Sequence, residues 1–240
     1  MDQTIRINKY LASLGLASRR QVDRFLSQGR ITVNGKTAHL GDKIDPQEDT
    51  IKFDDSKIEP KIQQKIYIAL NKPLMVLSTT KDSQGRTTVL DLVKLPTRLY
   101  PIGRLDYNTT GLILLTNDGD LTLKLTHPRY KLAKTYLAKI RGKITKLQLH
   151  RLKTGVQLEQ GITLPSEVKI ISQDQYTTVF EIILKQGINR QIRRMCQVLD
   201  LNLISLKRLA VGPIKLKTLP VGHWRYLTPT EIEQIKGQKT

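Results

Sequence analysis

An α+β protein in two parts is what this sequence predicts: a small helical unit with a hairpin, then a larger domain on a mainly antiparallel β-sheet with flanking helices. Three observations predict it. The first stretch carries two short apolar helical faces followed by an Asn-Gly turn. Residues 55–65 are polar, include Pro60 and sustain no period, as a linker does. Beyond them, short apolar runs bounded by turn residues outnumber helical stretches, and strands grouped with interspersed helices fit α+β. The expected division is 1–55, a linker over 56–65, and a second domain over 66–240.

The elements follow in order. Ile7, Tyr10, Leu11 and Leu14 fall on one helical face that Gly15 ends. Ser18 caps a second helix with Val22, Phe25 and Leu26 inward, stopped by Gly29. Ile31-Thr32-Val33 reads as a strand and Asn34-Gly35 as its hairpin turn. In the second domain strands are expected at 66–70, 112–115, 135–140, 168–171, 178–184 and 204–211. Helices are expected at 87–94, 118–126, 145–153 and 189–199, the last with Asn189 as its cap.

Charge narrows the partners. Lys and Arg number 40 against 21 Asp and Glu, a net charge of +19. Such an excess favours a polyanion, because each neutralised phosphate releases a condensed counterion. Most of it lies in the second domain. Within the first unit, residues 6–36 hold seven cations (Arg6, Lys9, Arg19, Arg20, Arg24, Arg30 and Lys36) and one acid, Asp23, whereas 42–59 hold seven acids. This segregation makes a basic face suited to phosphate contact. No run approaches the roughly 18 apolar residues of a membrane span, and the N-terminus lacks a signal-peptide core. One cysteine, Cys196, excludes an intrachain disulfide and fits buried packing. The four histidines lack ligand spacing, and Asp118-Gly119-Asp120 reads as a helix entry, so no metal is expected.

One loop concentrates the chemistry. Gly103-Arg104-Leu105-Asp106 lies between two apolar runs, with Asn108-Thr109-Thr110-Gly111 directly after. A carboxylate at the mouth of a buried strand is costly unless paired, and a paired, partly desolvated Asp is a candidate nucleophile or acid/base. Lys134-Thr135-Tyr136 opens a strand. Asn189-Arg190-Gln191-Ile192-Arg193-Arg194 enters a helix, with Arg190 and Arg194 four apart and Arg193 on an adjoining face. Spacing leaves open whether these arginines pair with Asp106 or face RNA only.

Two resemblances extend this reading. Ile5-Arg6-Ile7-Asn8-Lys9-Tyr10-Leu11, Ala17-Ser18-Arg19-Arg20 and Gly29-Arg30-Ile31-Thr32-Val33-Asn34-Gly35-Lys36 resemble the S4 (α-L) RNA-binding domain. That implies RNA contact through the second helix and the Arg30 neighbourhood, without catalysis. The motifs around Asp106, Tyr136 and Arg193 resemble the RsuA/RluB/RluE/RluF family of ribosomal RNA pseudouridine synthases. Leu70-Asn71-Lys72-Pro73, Gly85-Arg86-Thr87-Thr88-Val89, Leu115-Thr116-Asn117-Asp118-Gly119, His127-Pro128-Arg129-Tyr130 and Gly222-His223-Trp224-Arg225 match in order. The wording is nearest the large-subunit (RluB) members.

The resemblance implies site roles by position. Asp106 is the essential aspartate, Tyr136 stacks on the target base, and Arg193 pairs with Asp106. Arg104 handles the flipped nucleotide or its phosphate; Lys134, Arg190 and Arg194 bind substrate, the two arginines at its backbone. No cofactor is needed, because isomerising uridine breaks N1–C1′ and remakes the bond at C5 with no net redox change. Flipping the base costs on the order of a few kcal/mol, and stacking on Tyr136 returns about 1–3 kcal/mol. Two departures from the family pattern are Met75, where many relatives have glycine, and Ala133, where an acid is common. The expected partner is ribosomal RNA or a pre-ribosomal particle, in the cytoplasm or an organellar matrix or stroma, with a monomer as the acting form. The alternatives are a non-catalytic S4-type RNA-binding or ribosome-assembly protein, and a synthase acting on 16S rRNA or tRNA.

Overall fold

The computed structural model describes residues 4–60 and 63–237, and the chain falls into two compact units, Met1–Lys65 and Ile66–Thr240. In the first, helix Ile7–Ser13 buries Ile7 and Leu11, and Gly15 turns the chain with φ +82°. Helix Arg19–Ser27 starts at a capping box: Ser18 and Gln21 each receive the other's backbone N–H. Val22 and Leu26 face inward, joining Ile31, Ile44 and Ile51 in one core. Ile31–Val33 and Lys36–Thr37 form a hairpin through Asn34 (φ 52°) and Gly35 (φ 80°), the left-handed pair that a tight hairpin turn requires.

The expected linker is shorter than its polarity suggested. Ser56–Lys57 pairs with Ile51–Phe53 as an edge strand, Ile58 packs on the first core, and Gln63 Nε2 donates to Leu14 O at 3.0 Å. A two-residue edge strand with both side chains exposed carries no apolar signature.

The second unit is built on a nine-stranded sheet. Its main order is Glu167–Gln173, Thr177–Leu184, Lys134–Arg141, Leu203–Val211, Thr110–Thr116, Tyr67–Lys72 and Trp224–Tyr226. Every pairing is antiparallel except that of Leu203–Val211 with Thr110–Thr116. The parallel seam forms because Gly111 lets the strands close: a Cβ there would lie 2.2 Å from Arg208 O. Tyr67–Lys72 is buried throughout, covered on both faces, whereas Thr177–Leu184 alternates and buries Thr178, Phe180, Ile182 and Leu184. Ile192, Met195, Cys196 and Leu152, from helices Gln191–Val198 and Lys146–Thr154, share a core with that inward row. Burial pushes the Cys196 thiol up to about 12, as inert packing requires.

Three helix expectations differ in outcome. Asp118 caps Gly119–Thr126 and Thr145 caps Lys146–Thr154, so both expected starts are one residue outside the helix. The helix expected at 87–94 is absent. Thr87 O and Val89 N bond to Leu77 N and Leu77 O at 2.9 Å each, and the Asp91 carboxylate accepts from Thr88 N at 2.7 Å. Those groups are committed to a parallel bridge and a local turn, while Val89 and Val93 still reach the core. Helix Pro229–Lys236 was not anticipated, although Thr228-Pro229 and Glu231 spell its capping box.

That last helix carries an acid-sensitive contact. Arg225 NH1 and NH2 donate to Glu231 Oε2 and Oε1 at 2.7 Å each, and this pair holds the buried Glu231 carboxyl down to about 2. A carboxylate depressed from 4.5 stabilises the fold above its unfolded value and loses that contribution as pH falls toward 2. Glu231→Gln is therefore expected to be less stable than wild type at neutral pH, by on the order of 2 kcal/mol. The two denaturation curves should converge by about pH 2; a gap constant with pH would contradict the assignment.

Candidate active site

The loop 103–109 is held from two sides. Ser78 Oγ donates to Leu105 O at 2.8 Å and accepts from Leu105 N at 3.1 Å, while Thr109 N closes a turn onto Asp106 O at 3.0 Å. Leu105 and Thr109 are buried, so the backbone on either side of Asp106 is fixed and its carboxylate projects at a partly open position.

Arg193 reaches the carboxylate from helix Gln191–Val198. Its Nε lies 3.7 Å from Asp106 Oδ2, and its terminal nitrogen donates to Asn108 O at 2.5 Å and Thr109 Oγ1 at 3.3 Å. The Nε contact is an ion pair too long for a hydrogen bond, and that nitrogen has no other partner. Burial, and then Arg190, lowers the Arg193 pKa, with Asp106 acting in the opposite sense. Arg190 NH1 stands 4.0 Å from the same oxygen.

Helix entry differs from expectation. Asn189 is not the cap; the cap position is Arg190, in the left-handed region at φ 52° with no side-chain cap bond. A non-glycine residue in that conformation marks a constrained turn at the mouth of the site.

These groups line one pocket of about 360 Å³. Asp106, Arg104, Lys134, Tyr136, Arg190 and Arg193 all face it; Arg194 does not. Arg194 NH1 instead donates to Gln160 Oε1 at 2.6 Å, which removes it from the group that its spacing had joined to Arg190. Tyr136 stands half-buried against both flanking cores, and Arg104 is exposed at the rim. Burial, then the charge of Arg208, lowers the Lys134 pKa.

Two cations went unforeseen. Lys72 is fully buried, donates to Pro73 O and Val76 O at 2.8 and 2.9 Å, and is lowered to about 8 by burial, with Asp106 opposing and Arg208 adding. Arg208 is 4% exposed and lines the pocket. Its sequence signal was the inward alternation Leu206, Arg208, Ala210, which puts a charge on a core row.

Met75, the departure from the glycine pattern, sits at φ 60°, 65% exposed, with its N–H donating to Tyr107 O at 3.0 Å. A side chain in that region costs about 1–2 kcal/mol, against roughly 0.4–1 kcal/mol of unfolded-state entropy that glycine would add. Met75→Gly should thus hold or raise stability by up to about 1 kcal/mol in chemical denaturation. A clear loss would show that the methionine side chain packs. At the other departure, Ala133 contributes its carbonyl to Gly212 N at 2.8 Å.

In the first unit, Arg6, Arg19, Arg20, Arg24 and Lys36 are exposed and Lys9 is half-buried. Arg30 is spent differently. Its guanidinium pairs with both oxygens of Asp54 and lies over the rings of Phe25 and Phe53 at 4.8 and 4.6 Å. The paired, stacked guanidinium thus ties Phe25 of the second helix to Phe53 and Asp54. Among the described residues no group of three His, Cys, Asp or Glu could hold a metal. Asp118 caps a helix and accepts from Tyr67 Oη at 2.7 Å. No described helix is long and apolar enough to cross a membrane.

Residues 66–198 match the family model described as RNA pseudouridylate synthase, and residues 5–51 match the S4 domain. An uncharacterized RNA pseudouridine synthase of Aquifex aeolicus is 41% identical over 96% of this chain and 93% of its own length. Ribosomal large subunit pseudouridine synthase B of Bacillus subtilis is 40% identical, covering 97% and 96%. The dual-specificity RNA pseudouridine synthase RluF of Escherichia coli is 38% identical, covering 96% and 78%. A crystal structure of a pseudouridylate synthase superposes with a TM-score of 0.70 at 29% identity over 96% of this chain and 99% of that one. With a family model over more than half its length and near-complete relatives at this identity, the chain belongs to the RNA pseudouridylate synthases, enzymes that isomerise uridine to pseudouridine, and carries an S4 domain.

Proposed function

We propose that this chain makes pseudouridine at a specific uridine of 23S ribosomal RNA, with Asp106 as its catalytic carboxylate. The observation that carries the site is the ion pair of Asp106 with Arg193 beside Tyr136 at one pocket. The large-subunit name of the Bacillus relative supports the choice of RNA.

The target uridine leaves its stack and enters between Tyr136 and the 103–109 loop, its ribose toward Asp106. The carboxylate attacks C1′ or takes a proton from C2′; on either route N1–C1′ breaks and its electron pair stays with the uracil. The base turns so that C5 meets C1′ and the C5–C1′ bond forms, as the Asp106–C1′ bond breaks on the first route or Asp106 returns its proton to C2′ on the second; the C5 proton is then lost and N1 gains one. Arg193 orients Asp106 while tying Asn108 and Thr109 to the helix. Arg104 and Arg190 hold the phosphates flanking the flipped nucleotide. Arg6, Lys9, Arg19, Arg20, Arg24 and Lys36 grip neighbouring RNA without reading sequence. One chain supplies every residue this reading uses, so a monomer is its acting form, wherever ribosomal RNA matures: cytoplasm or an organellar matrix.

Mapping pseudouridines in ribosomal RNA from cells with and without the gene tests it. Loss of one 23S site is expected. Loss of a 16S or tRNA site would move the substrate, and no loss would favour a non-catalytic role in ribosome assembly.

A further inference from the structure

The pocket holds a cation that the reaction has not yet used. Arg208 sits in the strand Leu203–Val211 directly across from Tyr136, at the seam where Gly111 admits the close approach of Thr110–Thr116. Its Nε donates to Leu112 O at 2.7 Å, one terminal nitrogen is buried with no partner, and no carboxylate of the described residues forms an ion pair with it. A buried guanidinium left short of acceptors is costly to maintain, and the great majority of such groups find a partner. Lys72 and Lys134 both sense its charge, and Lys72 senses that of Asp106 as well.

We propose that Arg208 is a catalytic residue that binds the uracil, donating from its guanidinium to a ring carbonyl oxygen, O2 or O4, and stabilising the base as it detaches. This rests on the pseudouridine-forming reading above. The chemistry asks for such a group. When N1–C1′ breaks, the bonding pair remains on uracil and its charge spreads onto the carbonyl oxygens; when C5–C1′ forms and the C5 proton passes away as N1 is protonated, the charge is discharged. A fixed donor aimed at an oxygen that becomes more negative lowers that barrier more than it lowers the ground state. Arg208 lies on the row that carries Tyr136, so a base stacked on the ring presents its edge toward the strand of Arg208.

The test compares wild type with Arg208→Met and Arg208→Lys on RNA carrying uridine, 2-thiouridine or 4-thiouridine at the target position. Arg208→Met is expected to lower the single-turnover rate about 10²–10³-fold, with the melting temperature unchanged or raised because a poorly compensated buried charge is gone. Arg208→Lys should recover part of the rate. Sulfur is a weak acceptor, so replacing the contacted oxygen should itself slow wild type and shrink the penalty of Arg208→Met. Penalties of equal size on all three RNAs, or a rate loss matched by a fall in melting temperature in both variants, would assign Arg208 to structure and overturn the proposal. A wild type inactive on every uridine RNA would instead overturn the reading beneath it.

Discussion

Asp106→Asn is expected to abolish pseudouridine formation, with a loss of at least about 10⁴-fold, while RNA binds as well as or slightly better than to wild type. The amide keeps the shape of the carboxylate but can neither attack C1′ nor accept the C2′ proton. Removing a reacting group outright costs far more than removing a supporting contact. Binding moves the other way for an electrostatic reason. Asp106 is an acid set among Arg104, Arg190 and Arg193 at a pocket that must take a nucleotide, and neutralising it removes repulsion of the phosphates. Nucleoside chromatography of treated RNA and a filter-binding titration read the two effects separately. Product from the variant would remove Asp106 from the chemistry, whereas lost binding would make it a structural anchor.

The second large effect belongs to Arg193. Arg193→Met should lower kcat about 10²–10³-fold with little change in KM, because the guanidinium orients the carboxylate and contributes little to docking the RNA. Arg193→Lys should fall between, since one ammonium cannot span Asp106, Asn108 O and Thr109 Oγ1 as the planar fork does. Arg190 cannot substitute: it is more exposed and approaches only to 4.0 Å. A change confined to KM would place Arg193 in RNA binding instead of at the reacting carboxylate.

The sequence was most informative where a local rule meets a buried position. The Ser18 cap, the Asn34-Gly35 turn and the apolar runs of the central strands are local signals, and the fold keeps them. The stretch 87–94 looked helical but gave its backbone to Leu77, a pairing about ten residues away that no helical period reveals. The family motifs indicated Arg193 as the partner of Asp106 where spacing could not, since the pair is joined only when the helix after residue 190 folds over the 103–109 loop. At Arg30 the charge was legible but its partners were not, because Asp54 and the rings of Phe25 and Phe53 meet it only in the folded unit. Arg208 was overlooked for the opposite reason: it sits within an apolar strand, and only the sheet shows that its row lines the pocket.

Release of tritium from C5-labelled uridine in ribosomal RNA, measured with purified wild-type and Asp106→Asn protein, tests the central claim most directly, because the label leaves only when C5 becomes bonded to C1′. Release is expected to plateau at one uridine per RNA for wild type and to stay at background for the variant. Release by the variant, or none by wild type on 23S RNA or its precursor particle, would contradict it.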